Sequence, residues 1–258
     1  MSATVDAWRA FLIAARFLTR LPLPDPGLPT PAVSGRGALF YPLVGLLLGA
    51  LLVPPALLLA GAPPLPAAAL LLALWVWLTG ALHLDGLADC ADAWVGGLGS
   101  RERTFAILKD PASGAMAVVA LVLLLLLKFS ALTTLLAQGG WLALPWLPAL
   151  ARAQLLALPL TTPPARREGM GAALQEHLSR RAAWLVLALT WLVALAVLAP
   201  AFGLMVLILP VIAAAVLWTW RRAMCRRLGG FTGDTAGALV ELTEVALLLG
   251  VVLTPSAA

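Results

Sequence analysis

Two long stretches without a single charge constrain this chain more than anything else in it. No Asp, Glu, Lys or Arg occurs from Gly37 to Leu84, a run of 48 residues, or from Ala182 to Trp220, a run of 39. One bilayer crossing takes about 20 apolar residues at 1.5 Å rise, so each run holds two crossings and a turn. Gly61, Pro63, Pro64 and Pro66 mark the first turn, Pro200 and Gly203 the second. A third stretch, Pro111 to Ala165, carries only Lys128 and Arg152 as charges and breaks at Gln138-Gly139-Gly140; a last span begins near Thr235. The pattern predicts seven helices, about 38–60, 66–84, 113–137, 141–160, 182–199, 201–220 and 235–254.

Composition agrees. The chain is 62% hydrophobic and 11% charged, with mean hydropathy +0.99, whereas a soluble domain is about half apolar and roughly a quarter charged. Such a chain cannot cover a water-facing surface, and its two cysteines exclude a disulfide scaffold. The expected fold class is all-α: a polytopic membrane helix bundle, read as a single transmembrane domain over residues 1–258.

Basic residues orient it. Of 17 Lys and Arg, 15 fall before the first span or between spans two and three, four and five, and six and seven. The other two are Lys128 and Arg152, within spans. The positive-inside rule makes the charged side cytoplasmic. The net +5 is then a topology signal, and no nucleic-acid partner is implied. Arg9, Arg16 and Arg20 recur at i, i+7 and i+11, which predicts an N-terminal interfacial helix rather than a cleaved signal peptide.

The chemistry-bearing segment is His83-Leu84-Asp85-Gly86-Leu87-Ala88-Asp89-Cys90-Ala91-Asp92. On a helix Asp85, Asp89 and Asp92 form one stripe. Three anions so close take up protons unless a cation intervenes, and hard oxygens suit Mg²⁺ or Mn²⁺. A solvated acidic helix end is the plain alternative. A second stripe, Asp234, Glu241 and Glu244, opens the last span. Glu241 lies deep enough to need a partner, which Lys128, Arg152 or a shared metal could supply.

Asp110, before Pro111, either caps span three or joins the acidic site. His83 and Cys90 match no usual zinc spacing. Gly45-x₃-Gly49 permits close helix packing, within the chain or between copies, so a homo-oligomer is left open.

Phe17-Leu18-Thr19-Arg20-Leu21-Pro22-Leu23-Pro24, Tyr41-Pro42-Leu43-Val44-Gly45, Leu78-Thr79-Gly80 with the His83 to Asp89 segment, Leu108-Lys109-Asp110-Pro111 and Gly233-Asp234-Thr235-Ala236-Gly237-Ala238 resemble the cobalamin synthase family in order and spacing, from about residue 10 to 250. The resemblance implies a Mg²⁺-dependent inner-membrane transferase. It would join adenosylcobinamide-GDP to α-ribazole or its 5′-phosphate, releasing GMP. The acidic stripes also resemble those of the CDP-alcohol phosphotransferases, but Asp89 stands where that family's arginine would, so only its logic carries over. Asp85, Asp89, Asp92, Asp234 and Glu241 are then the expected metal ligands, and Asp92 or Asp110 the catalytic carboxylate. Lys109, Lys128, Arg152, Arg166 and Arg167 are the phosphate-contact candidates. An ion-coupled transporter is the rival class; it predicts midplane charges and inverted repeats.

Overall fold

The computed structural model describes residues 3–28, 30–166 and 170–253; Arg167 lies outside them. Twelve α-helices follow one another among the described residues, with no strand ladder: α1 (Ala3–Leu18), α2 (Pro31–Ala38), α3 (Tyr41–Leu58), α4 (Pro64–Thr79), α5 (Leu82–Gly96), α6 (Arg101–Ile107), α7 (Ala115–Ala137), α8 (Trp146–Thr161), α9 (Met170–His177), α10 (Arg180–Phe202), α11 (Leu209–Leu228) and α12 (Gly233–Leu253). Six helical segments are long and apolar enough to cross a membrane, and a bent pair, α4 with α5, makes a seventh. The all-α polytopic bundle expected from the charge-free runs is what the chain forms.

Burial sorts the crossings. The α8 crossing is 78% buried and α12 61%, against 17% for α10 and α11, so α8 and α12 form the axis and the others turn their leucines outward. The tightest packing is α3 on α8. A Cβ at residue 45 would stand 2.4 Å from the Pro148 carbonyl oxygen, and one at residue 49 would stand 2.2 Å from that of Leu144. The glycine pair left open above is thus used inside the chain.

The second span differs from its expected form. The helix stops at Thr79, and the chain turns 89° into α5. Gly80 (φ 60°) and Ala81 (φ 56°) both occupy the left-handed region there, Ala81 being the sole non-glycine with positive φ among the described residues. A left-handed alanine is strained. The corner is held from outside: the Arg20 N–H donates to the Leu78 carbonyl at 2.8 Å, and a Cβ at residue 80 would meet Arg20 Nε at 2.3 Å. We read α4 as the crossing and α5 as a segment outside it.

Helix α1 buries Ala10, Leu12, Ala14, Ala15 and Leu18 and leaves Trp8 exposed. Its Arg9 donates to the Pro26 and Leu28 carbonyls and Arg16 to that of Leu23, so these cations tie down the following proline-rich loop. The basic run between the sixth and seventh predicted spans continues α11 to Leu228, ending at Gly229 (φ 77°). Arginine is a good helix former, and a left-handed glycine is a common helix stop.

Candidate functional site

The site is built where α5 crosses the start of α12. Gly86 permits the approach: a Cβ there would lie 2.7 Å from the Asp234 carbonyl oxygen, and one at Gly237 would lie 3.3 Å from the His83 Cα. The N-terminus of α12 is fixed by a reciprocal cap. Thr235 N–H donates to Thr232 Oγ1 at 3.3 Å, and Thr232 N–H donates to Thr235 Oγ1 at 2.8 Å. Thr232 Oγ1 also donates to the Asp234 carboxylate at 3.3 Å.

This crossing walls one side of a cavity of about 380 Å³ at the basic end of the bundle. His83, Asp85, Thr232, Asp234 and Arg166 give it a polar side, while Tyr41, Leu155, Leu158 and Phe231 belong to its apolar wall. Asp85 is exposed and Asp89 half-buried. Neither carboxylate has an ion-pair partner among the described residues. Partial burial, then repulsion from Asp85, Asp234 and Asp92, pushes the Asp89 carboxyl up to about 6. A carboxyl raised by its acidic neighbours in this way marks a site short of positive charge.

The other expected residues fall into three groups. Asp92, a candidate base and ligand, accepts from Gly114 N–H at 2.5 Å and Ala117 N–H at 2.9 Å, and so caps α7. Asp110 likewise accepts from Ala112 N–H at 3.0 Å, in the exposed loop that also carries Lys109; neither lines the cavity. The buried set forms a closed ionic network. Lys128 Nζ donates to Glu241 at 2.6 Å and also pairs with Glu244, and Arg152 pairs with Glu244. His83 Nδ1 lies 3.4 Å from Arg152, and Trp75 lies under the Lys128 ammonium at 5.1 Å. Lys128, Arg152 and Glu241 are 3% exposed or less, so solvent reaches none of them. Arg166 is exposed, stacks at 4.5 Å on Phe105 and lines the cavity.

Among the described residues no three His, Cys, Asp or Glu side chains converge as a metal cage. One reason is that Asp92 is turned to α7. The donor chemistry still suits Mg²⁺, which keeps several waters and binds through one or two carboxylates plus substrate phosphate. His83, Thr232, Tyr41 and Phe231 were not assigned to the site from sequence. Of these, His83 and Tyr41 sat within the motifs that carried the family resemblance, which was the available signal.

Comparison with known proteins agrees with the whole-chain resemblance. A family model described as cobalamin-5-phosphate synthase matches residues 10–252. A protein of Pseudomonas entomophila named adenosylcobinamide-GDP ribazoletransferase is 57% identical over 94% of this chain and 98% of its own length. A Pseudomonas aeruginosa protein of the same name is 57% identical over 96% and 99%, and one from Pseudomonas fluorescens 55% over 93% and 98%. No solved structure matches. The match spans every helix that builds the cavity, and the chain belongs to the cobalamin-5-phosphate synthase family.

Proposed function

We propose that this chain is an adenosylcobinamide-GDP ribazoletransferase, joining the cobinamide phosphate to α-ribazole or its 5′-phosphate. The observation that carries the reading is that Asp85 of α5 and Asp234 of α12 line one nucleoside-sized cavity, with Asp89 one turn along α5 from Asp85. In the reaction a ribazole hydroxyl oxygen bonds to the phosphorus on the corrinoid side of the pyrophosphate. The bond from that phosphorus to GMP breaks, and the hydroxyl proton passes to a carboxylate or to water. Bound Mg²⁺ would neutralise charge building on the leaving GMP.

Asp85, Asp89 and Asp234 would supply the negative charge that holds that ion, one or two of them directly and the rest through its waters; Arg166, exposed at the rim, would contact phosphate. Asp92 holds the α7 N-terminus against α5 and thereby positions Asp89. Lys128, Arg152, Glu241 and Glu244 tie α7, α8 and α12 together beneath the cavity. The mutual pairing of these buried charges also speaks against the transporter reading, which needs an open ion path. The site would face the cytoplasm from the inner membrane, since 15 of 17 basic residues share its side.

Purified, detergent-solubilised protein should release GMP from adenosylcobinamide-GDP only with α-ribazole, or its phosphate, and Mg²⁺ both present. Absence of release, or release indifferent to a chelator, counts against the proposal.

A further inference from the structure

The cavity is two-sided, and the second side has no part in phosphoryl chemistry. Its polar residues come from α5, the start of α12 and Arg166. The facing wall is apolar and drawn from other elements: Phe17 of α1, Tyr41 of α3, Leu155 and Leu158 of α8, Leu174 of α9, with Phe231 closing it. That wall is continuous with packed core, since Tyr41 and Leu155 belong to one buried cluster joining α1, α3 and α8, against which Leu174 packs. Phe231 is 5% exposed, and Gly171 lies against its ring, where a Cβ would come within 3.0 Å.

Resting on the ribazoletransferase reading, we propose that this apolar wall is the subsite for the dimethylbenzimidazole base of α-ribazole, and that guanine and the corrin ring stay outside it. Size excludes the corrin. About 380 Å³ is near the low end of the roughly 300–1,000 Å³ typical of small-molecule sites, room for one nucleoside. Chemistry separates the two bases. Guanine presents amide and amine donors along its edge, for which this wall of leucine, phenylalanine and one tyrosine offers only the Tyr41 hydroxyl. Dimethylbenzimidazole in a nucleoside has no N–H at all, and its two methyl groups and fused ring gain from apolar contact. With the base against α8, the ribose projects toward Asp85 and Asp234, where its hydroxyl meets the phosphorus.

Two measurements test the assignment on the intact protein in detergent. Leu174→Trp, which fills the apolar side from α9, should raise KM for α-ribazole about 10-fold or more while KM for adenosylcobinamide-GDP stays within about 2-fold. In the wild type, kcat/KM for α-ribazole should exceed that for the α-linked adenine nucleoside, which sets a polar amine against this largely apolar wall, by roughly 10- to 100-fold. A KM change confined to adenosylcobinamide-GDP, no change in either KM, or equal use of the two nucleosides overturns the subsite while leaving the activity standing. Failure of the wild type to release GMP at all strikes the activity itself. The wild-type comparison holds even if Leu174→Trp does not fold.

Discussion

Gly86 and Asp234 are in backbone contact: a methyl group at residue 86 would stand 2.7 Å from the Asp234 carbonyl oxygen. That contact brings the Asp85 and Asp89 helix against the start of α12. Gly86→Ala should therefore separate the carboxylates. Overpacking of this kind costs typically 1–3 kcal/mol. GMP release should fall far more than thermal stability in detergent. A variant with wild-type turnover would show that the close crossing is dispensable.

The buried network gives a second expectation. Glu241 has Lys128 as its ion-pair partner, 2.6 Å away in a site 4% exposed on both sides. Lys128→Met leaves that carboxylate stranded and should destabilise the protein by about 3–5 kcal/mol. Adding Glu241→Gln should recover part of the loss, because Glu244 keeps Arg152. The double-mutant cycle, read by thermal unfolding, checks this. Additive losses would show that the pair is not coupled.

Topology is open to labelling. With Cys225 replaced by Ser and Cys90 buried, single cysteines at Ala62 or Gln138 should react with a membrane-impermeant maleimide added outside spheroplasts. One at Ser100 should react only after lysis. The expectation follows from the side shared by the basic residues. Labelling of Ser100→Cys from outside would invert the protein and its site.

Much of the fold was legible because it is written in charge. Lipid tolerates few ionised groups, so the uncharged runs located the crossings, most of them to within a few residues. The 89° corner was less legible, since it depends on Arg20 packing against Gly80 from more than fifty residues away. In the site, the Asp85 to Asp92 stripe marked the right helix. Spacing alone could not say that Asp92 turns to cap α7, because Gly114 and Ala117 reach it only through tertiary packing. Nor could it pair Glu241 with Lys128 rather than Arg152, for both cations lie at plausible depth on different helices. The apolar half of the cavity was invisible for another reason: Leu155 and Leu158 look like any other leucines in a membrane span.

Asp89 supplies a test of the cation that needs no substrate. Burial and the neighbouring carboxylates raise its pKa from 3.8 to about 6. Between those values the folded protein holds a proton that the unfolded chain has released, so folding stability falls as pH rises through that window and levels off above it. In the absence of divalent cations, Tm in detergent should decline from about pH 4 to about pH 6, and Asp89→Asn should flatten that decline. Mg²⁺ would replace the proton as the neutralising charge. It should therefore raise Tm at about pH 7.5 more than at about pH 5, where protons already occupy the site. Asp89→Asn should shrink this Mg²⁺ increment and lower GMP release by at least about 100-fold, the scale of losing one stabiliser of transition-state charge. A Mg²⁺ increment of the same size at both pH values, unchanged by Asp89→Asn, would remove this carboxylate from the metal site.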